Sequence, residues 1–401
     1  MRYGEGKVMS QFSYLISFLF LLFYFYFFSM KYYLVAGESS GDLHGSNLIK
    51  ALRERDKGAD FEIVGGDLMA AASGKKPLLH TSEMSFMGFV EVVANLGTVL
   101  SNLKKVKADI LQKKPDALVL IDFPGFNLKL AEFAKKHDIK VFYYISPKVW
   151  AWNTGRVKKI KKIVDHLFCI LPFEVEFYEQ WGMKVDYVGN PLLDAIASYP
   201  YRADFLMENH LRADRPIIAL LPGSRKMEIS RLLPEMMKLV GLFPMHQFVI
   251  AGAPNFDTAY YKRYMDEMEV PIVFGQTYDL LKHAEAAVVA SGTATLETAL
   301  LHVPQVVVYK ANPISIAIAR KVIKVAFISL VNLILDDEVV KELIQKEANH
   351  DTIADELDLL LNNKERRSYV LAEYDRLDEL MGKPGASDRV AELVVGYLKG
   401  D

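Results

Sequence analysis

From Met30 onward, short apolar runs alternate with longer amphipathic stretches, and this rhythm constrains the fold more than any other feature of the chain. Apolar runs of strand length, bounded by glycine, proline or asparagine, are typical of buried strands, and the stretches between them have helical length. Regular alternation of strands and helices forms βαβ units, whose strands pair in parallel. The expected fold class is therefore α/β, with doubly wound parallel sheets.

The rhythm occurs twice along the 401 residues, and this repetition predicts two domains of similar size. Strands are expected in the first domain at 32–36, 61–64, 117–121, 140–145, 167–170 and 185–188. Strands are expected in the second domain at 217–221, 247–251, 272–274, 286–290 and 305–308. A polar region with prolines separates the two sets, so the predicted units are an extension (1–29), two domains (30–197 and 198–365) and a helical tail (366–401). The cleft between the domains should hold the chemistry.

The N-terminal extension contains a dense apolar segment that contributes to the slightly positive mean hydropathy of +0.11. No charged residue occurs between Val8 and Met30, and ten of the seventeen residues from Phe12 to Phe28 are aromatic. This length is near the lower limit for a membrane-spanning helix, and no small-residue cleavage site follows it. Because Met30 directly precedes the first strand, three interpretations stay open: a misplaced gene start, a membrane anchor, or an element of the fold.

Composition excludes several classes of protein. The 48 Lys and Arg residues balance 50 Asp and Glu residues, whereas nucleic-acid-binding domains are usually strongly basic. The single cysteine, Cys169, excludes an intrachain disulfide and any site built from several cysteines. The chain has no HExxH, D-x-D, G-x-G-x-x-G or Walker A motif. We therefore expect neither a metal ion nor a cofactor.

Two motifs of the first domain place carboxylates after predicted strands. Glu38 and Ser39 lie in the turn AGESSGD, where backbone N–H groups at a helix start could bind an anion or a sugar. Asp122 follows the strand 117–121, at the sheet edge where open α/β sheets bind ligands, and it could accept a proton from a substrate hydroxyl. Helix capping and turn formation explain both motifs equally well on local sequence alone.

Two tryptophans beside a basic helix form a third motif. Trp150 and Trp152 follow the strand 140–145, and the region from Lys140 to His166 contains seven cations and one anion. Such an edge suits a sugar, a phosphate or an anionic membrane surface. A solvated helix face would equally explain the lysines, but it would not explain why two of the three tryptophans of the chain lie here.

The second domain carries two motifs suited to a nucleoside diphosphate. In LLPGSR, Ser224, Arg225 and nearby backbone N–H groups could bind phosphate oxygens at the start of a helix. After the strand 286–290, Ser291 and Thr293 offer hydroxyls to phosphate. Glu297, one helical turn further, could accept hydrogen bonds from a ribose diol. An ordinary βα turn is the alternative for the first motif, and helix capping is the alternative for the second.

Taken together and in order, these motifs resemble the lipid-A-disaccharide synthase family of Gram-negative bacteria. The resemblance covers Met30 to nearly the C-terminus and rests on eight segments: AGESSGD, MSFMGFVEV, IDFPGFN, YYISPKVWAW, LPFE, LPGSR, SGTATLE and SLVNLIL. It implies an inverting glycosyltransferase of the GT-B architecture, with two facing Rossmann-like domains. The implied reaction joins UDP-2,3-diacylglucosamine to 2,3-diacylglucosamine 1-phosphate (lipid X) and releases UDP.

The resemblance also implies roles for individual residues. It makes Asp122 the base for the acceptor hydroxyl, with Glu38 and Ser39 beside it in the active site. UDP binding falls to residues of the second domain: Ser224, Arg225, Ser291, Thr293, Glu297 and Asn332. Contacts with the acceptor and its acyl chains fall to residues of the first domain: Phe86, Met87, Phe89, Val90, Trp150, Trp152 and Asn190. An ordinary core stripe would equally explain the apolar residues 86–90.

The sequence departs from the family pattern at Asn190, where many relatives carry histidine before the proline. Asparagine has no titratable group, so we expect a binding role there and no acid–base role.

Because both implied substrates carry acyl chains, the enzyme is expected to act at a membrane surface. We expect a peripheral enzyme on the cytoplasmic face of the inner membrane, or an anchored one if residues 8–30 form a span; a homodimer stays open. Two alternatives are kept. A UDP-N-acetylglucosamine 2-epimerase would share the second-domain motifs without needing MSFMGF or VWAW. A membrane-tethered, non-enzymatic binder of lipid or nucleotide sugar would depend on residues 8–30 and tolerate loss of Asp122.

Overall fold

The computed structural model of the chain describes residues 29–84, 96–266, 268–312 and 325–400. The apolar segment of the N-terminal extension and the predicted acyl-chain residues Phe86, Met87, Phe89 and Val90 lie outside these ranges. Within them, no helix is both long enough and apolar enough to span a bilayer. The same ranges contain no group of three or more His, Cys, Asp or Glu side chains arranged to hold a metal ion.

Twelve strands in this part of the chain form two six-stranded sheets, and all strand pairs are parallel. The first sheet has the order β2-β1-β3-β4-β5-β6, with β1 Lys31–Ala36, β2 Asp60–Val64, β3 Ala117–Ile121, β4 Lys140–Tyr144, β5 His166–Cys169 and β6 Asp186–Tyr187. The second has the order β12-β11-β10-β7-β8-β9, with β7 Ile217–Leu221, β8 Gln247–Gly252, β9 Ile272–Phe274, β10 Ala284–Ala290, β11 Gln305–Tyr309 and β12 Lys341–Ile344.

The predicted α/β class with doubly wound parallel sheets is confirmed, and one strand was missed. Strand β12 has the sequence KELI and lies at the edge of the second sheet, paired with β11 alone. Its polar residues fit a strand that is exposed along one side, so it lacks the continuous apolar run typical of a central parallel strand. A search for apolar runs therefore passes over it.

Helices cover both faces of each sheet. Those up to the end of the first sheet are α1 Ser39–Arg55, α2 Asp67–Ser73, α3 Leu96–Lys113, α4 Pro124–Lys135, α5 Val149–Trp152, α6 Val157–Ile163 and α7 Phe173–Glu179. Two short helices connect the sheets: α8 Pro191–Ala197 and α9 Phe205–Glu208. The later ones are α10 Lys226–Lys238, α11 Thr258–Lys262, α12 Thr277–His283, α13 Thr293–Leu300, α14 Leu330–Leu335, α15 His350–Asn362, α16 Lys364–Met381 and α17 Ala386–Lys399.

The central strands are buried on both faces, as a doubly wound sheet requires. Alternate residues of β1 and β3 enter opposite cores: Tyr33 and Leu118 pack toward α3 and α4, whereas Leu34 and Val119 pack toward α1. Full burial of such a side chain contributes about 1.5–3 kcal/mol relative to its exposed state. The apolar runs therefore fix both the strands and their place in the middle of the sheet.

The last two helices contact different sheets. Helix α16 packs into the core of the second sheet through residues such as Tyr374 and Leu377. Helix α17 returns to the first sheet, where Val390 and Val394 join the core beside α1. The Asp194 carboxylate accepts hydrogen bonds from the first N–H groups of α17, at Gly385 and Ala386. The C-terminal segment therefore ties the two sheets together.

The strand order of each sheet reverses at one internal position. In the first sheet the reversal lies between β1 and β3, and in the second it lies between β7 and β10. Open parallel sheets bind ligands outside the carboxyl ends of their strands at such a switch point. The fold therefore predicts two ligand-binding edges, and all four loops concerned carry motifs identified in the sequence.

Candidate active site

Asp122 and Glu38 follow neighbouring strand ends at the first switch point. Ala36, the last residue of β1, pairs with Ile121, the last residue of β3, so the two loops leave the sheet at the same level. Glu38 and Ser39 are exposed at the start of α1. An added Cβ at Gly37 would come within 2.3 Å of the Phe123 ring, so close packing of the two loops requires the glycine.

Asp122 is held in an unusual backbone conformation. Asp122 and Phe123 have φ angles of +43° and +49°, in the left-handed region that residues other than glycine rarely adopt. The Asp122 carbonyl accepts hydrogen bonds from the Tyr143 hydroxyl at 2.6 Å and from Asn127 Nδ2 at 2.8 Å. Asn127 also donates to the Ile121 carbonyl. Two buried side chains thus fix a costly turn, as is common where a side chain must be aimed at a substrate.

The Asp122 carboxyl group has a raised pKa. Burial is the main cause and the nearby charge of Glu38 adds to it, while Lys148 opposes both. A carboxylate with a raised pKa is a better proton acceptor. The site can therefore supply a general base at Asp122.

The next acidic residue of the first loop has a different task. The Asp42 carboxylate is buried and accepts backbone N–H groups of Gly66, Leu68 and Met69 at 2.7–3.1 Å, at the start of α2. It therefore fastens α2 to α1 and is fully engaged in structure. Capping explains this member of the AGESSGD motif.

At the second switch point, the turn after β7 carries Ser224 and Arg225. Gly223 has φ of +101°, and an added Cβ would lie 2.4 Å from the Glu228 carboxylate. That carboxylate accepts the backbone N–H groups of Ser224 and Arg225, at 3.0 and 3.2 Å, and contacts the Arg225 guanidinium at 3.3 Å. The two N–H groups expected to bind phosphate are thus already occupied. The exposed guanidinium and the Ser224 side chain are left to meet a ligand.

The turn after β10 offers its backbone instead. Gly292 and Thr293 are exposed at the start of α13, and the described residues supply no acceptor for the N–H groups of Gly292, Thr293 and Ala294. The Ser291 hydroxyl donates to the Ile328 carbonyl at 3.0 Å. Free N–H groups at a helix start favour an anion. The groups at this edge that are open to an anion are therefore the start of α13 and the Arg225 guanidinium.

Glu297 lies half-buried on α13 and accepts the Tyr278 hydroxyl on Oε1 at 2.7 Å. Burial raises the pKa of Glu297, and the hydrogen bond from Tyr278 opposes this effect. Sequence reasoning missed Tyr278, because a tyrosine in the first turn of a short helix carries no recognisable signal.

Asn332 is fully buried and engaged within the protein. Its Nδ2 donates to the Val340 carbonyl and to Glu342, and its Oδ1 accepts the Val340 N–H. Glu342 in turn accepts the N–H groups of Ile328 and Ser329. Asn332 therefore supports the segment that forms a cavity wall and does not itself line the cavity.

A cavity of about 1010 Å³ lies between the two sheets. From the first sheet it is lined by Lys148, Trp150 and Ala151. From the second it is lined by all the predicted UDP-binding residues except Asn332: Ser224, Arg225, Ser291, Thr293 and Glu297. Three predicted catalytic residues lie outside this lining: Asp122, Glu38 and Ser39. Lys148 connects them to the cavity, because it lines the cavity and its charge lowers the pKa of Asp122. The structure thus brings one set of predicted residues together and keeps the other at the adjacent edge.

Trp150 joins the two halves of the molecule. It follows β4 of the first sheet, yet it is only 8% exposed and packs in the apolar core of the second sheet. Its Nε1 donates to Glu174 at 3.0 Å, and Phe173 meets its ring edge-on at 4.9 Å. The buried Glu174 carboxylate also accepts hydrogen bonds from the Ser146 hydroxyl and from two backbone N–H groups. Glu174 lies in the LPFE segment, and the sequence alone does not indicate this role.

Two other predicted acceptor residues within the described ranges, Trp152 and Asn190, do not line this cavity. Trp152 is 46% exposed. The guanidinium carbon of Arg156 lies over the Trp152 ring, 4.9 Å from the centre of that ring. Asn190 is buried and caps α8: its Oδ1 accepts the Leu192 N–H, and its Nδ2 donates to the Ile170 carbonyl. The side chain of Asn190 is therefore used in the connection between the sheets.

Comparison with known proteins identifies the family. The lipid-A-disaccharide synthetase family model matches residues 32–389. Lipid-A-disaccharide synthases from Syntrophus aciditrophicus and Trichlorobacter lovleyi are 41% and 39% identical, each alignment covering 91% of this chain and 97% of the relative.

Solved structures match the fold at much lower sequence identity. A Neisseria meningitidis UDP-GlcNAc 2-epimerase bound to UDP-GlcNAc matches with a TM-score of 0.61 at 13% identity, covering 93% of this chain and all of its own. The calicheamicin glycosyltransferase CalG4 matches with a TM-score of 0.58 at 16% identity, covering 92% of this chain and 98% of its own. These matches confirm the predicted GT-B architecture.

Proposed function

The chain belongs to the lipid-A-disaccharide synthase family and is a glycosyltransferase that forms a lipid A disaccharide. We propose that its donor is UDP-2,3-diacylglucosamine, that its acceptor is 2,3-diacylglucosamine 1-phosphate, and that it releases UDP with inversion at the anomeric carbon. The observation that carries this proposal is the pairing of two switch-point edges. One edge holds a half-buried carboxylate, and the other holds an anion-binding helix start beside a cation.

The proposed chemistry assigns one task to each edge. Asp122 accepts the proton of the acceptor 6-hydroxyl as that oxygen attacks the anomeric carbon and the bond to UDP breaks. The negative charge that develops on the departing diphosphate is stabilised by Arg225 and the N–H groups at the start of α13. Glu297 holds the ribose. Because Asp122 lies beyond the cavity lining, closure of the two sheets would bring base and donor into line.

The test uses the chain starting at Met30 with both lipid substrates, and it measures disaccharide and UDP together. We expect equal amounts of the two products and no reaction when lipid X is left out. Epimerisation of UDP-N-acetylglucosamine without an acceptor would support the epimerase alternative and overturn the proposal. The epimerases that match in structure are too distant in sequence to indicate more than the fold.

We further propose that the enzyme works at the cytoplasmic face of the inner membrane through a basic edge, defined as Trp152, Arg156, Lys158, Lys159, Lys161 and Lys162. These residues are exposed, and α6 turns Val157, Ile160 and Ile163 inward. Each surface cation near anionic lipid contributes about 1 kcal/mol. Lys159 is paired with Glu132 at 2.6 Å, so the unpaired lysines carry most of the attraction.

Vesicle sedimentation tests this edge. The double variant Lys158→Glu, Lys162→Glu should lose binding to vesicles containing phosphatidylglycerol, and its activity on detergent-dispersed substrates should persist. The matched control Lys104→Glu, Lys107→Glu changes the same charge on α3. If both double variants lost vesicle binding equally, net charge alone would explain the loss, and the proposed edge would be contradicted.

A further inference from the structure

Among the residues that the structure describes, Glu297 has a hydrogen-bond partner for one carboxylate oxygen and none for the other. Its Oε1 accepts the Tyr278 hydroxyl at 2.7 Å, and no hydrogen bond from the described residues reaches its Oε2. Glu297 lines the cavity between the sheets, as do Thr277 and Thr293. The carboxylate is therefore fixed at one oxygen and open to a ligand at the other.

Tyr278 is itself held by its surroundings. It lies in the first turn of α12, and its ring meets the Tyr199 ring edge-on at 5.1 Å. Tyr199 packs against Tyr201 at 5.0 Å, and Lys282 lies 4.3 Å from the Tyr201 ring centre. The Tyr199 hydroxyl donates to Asp279 at 2.7 Å. This cluster leaves the Tyr278 hydroxyl little freedom to move, so its position is set by packing.

We propose that Tyr278 is a positioning residue that fixes the Glu297 carboxylate for the ribose hydroxyls and so makes the site prefer ribonucleotides over nucleotides without a diol. This inference rests on the proposed function, in which Glu297 holds the ribose of UDP. A carboxylate that rotates freely pays the entropy of ordering when it binds, whereas one already fixed by a hydrogen bond does not. The Tyr278 hydroxyl can donate only one proton, so it leaves Oε2 for the ligand.

A purely structural role for Tyr278 makes a different prediction. If the tyrosine only packs α12 against α13, its hydroxyl should affect all nucleotides equally, because none of the loss would depend on the ribose. If it positions Glu297, the loss should appear only for ligands whose ribose hydroxyls reach the carboxylate. The comparison of two nucleotides therefore separates the two roles.

The experiment measures dissociation constants of UDP and 2′,3′-dideoxy-UDP for the full chain and its variants. Tyr278→Phe should weaken UDP binding about threefold to tenfold, the loss expected when one side chain must be ordered on binding. It should change 2′,3′-dideoxy-UDP binding less than twofold. In turnover, KM for the UDP-sugar should rise with little change in kcat. Glu297→Ala should bind both nucleotides with nearly equal affinity.

Tyr199→Phe is the matched control, because it removes a hydroxyl from the same aromatic cluster without touching Glu297. It should keep the wild-type preference for UDP. Equal weakening of both nucleotides by Tyr278→Phe, or no weakening of either, would overturn the positioning role. If Glu297→Ala keeps the preference, the proposed ribose contact itself fails. The two failures are thus distinguishable.

Discussion

The two switch points use their backbone in opposite ways. At the first, two consecutive residues other than glycine, Asp122 and Phe123, adopt left-handed conformations that place one half-buried carboxylate. At the second, Gly223 takes the positive φ, and the loops present an exposed guanidinium and N–H groups that have no acceptor in the described part of the chain. Strain is tolerated where one atom must be aimed, and relaxed turns suffice where a charged group is held by several donors. The difference is consistent with our proposal of chemistry at one edge and binding at the other.

The largest expected effect comes from removing the carboxylate of the first edge. Asp122→Asn keeps the size of the side chain but cannot accept the proton, so kcat should fall about a thousandfold, as for loss of a general base. Steady-state turnover with saturating substrates measures this loss. UDP affinity and thermal stability should stay close to wild type. Activity within tenfold of wild type would contradict the assignment of the base.

Arg225 tests the second edge and should give a smaller loss of a different kind. The Arg225 side chain is 73% exposed and its only ion-pair partner among the described residues is Glu228, so its replacement should not disturb folding. Arg225→Ala should weaken UDP binding about tenfold to a hundredfold, through loss of a charge-assisted contact with phosphate. Calorimetric titration with UDP checks this. The control variant is Arg231→Ala, at a second arginine that follows Arg225 in the same region and lies within α10.

The turn that holds Asp122 can be weakened without touching its side chain. Asn127→Ala and Tyr143→Phe each remove one donor to the Asp122 carbonyl. Each should lower kcat about tenfold and cost about 1 kcal/mol in the free energy of unfolding. Turnover and urea unfolding measure the two quantities. Loss of stability without loss of turnover in both variants would show that the left-handed turn is not needed to aim the carboxylate.

Sequence reasoning located the strands and the loops of the site, because buried parallel strands leave long apolar runs and ligand loops follow their ends. It assigned Asn332 to UDP and Asn190 to the acceptor, and it gave Glu174 no role. The hydrogen bonds of all three depend on which groups lie opposite them after folding. Asn332 and Asn190 sit in motifs beside the site, yet both satisfy buried backbone groups. Local sequence does not distinguish a polar side chain that meets a ligand from one that satisfies the chain itself.

The smallest effect concerns the pH dependence of the first edge, and two substitutions should move it in opposite directions. A general base must be ionised, so activity falls as the pH drops through the pKa of Asp122, which burial raises. Lys148 lowers this pKa, so Lys148→Met should move the acid limb of kcat/KM to higher pH. Glu38 raises it, so Glu38→Gln should move the limb to lower pH. Both shifts should shrink in high salt, because Lys148 and Glu38 are exposed. If both substitutions moved the acid limb in the same direction, the titrating group would not be the Asp122 carboxylate. The contrast between an edge that aims a carboxylate and an edge that binds the ligand would then lose its electrostatic basis.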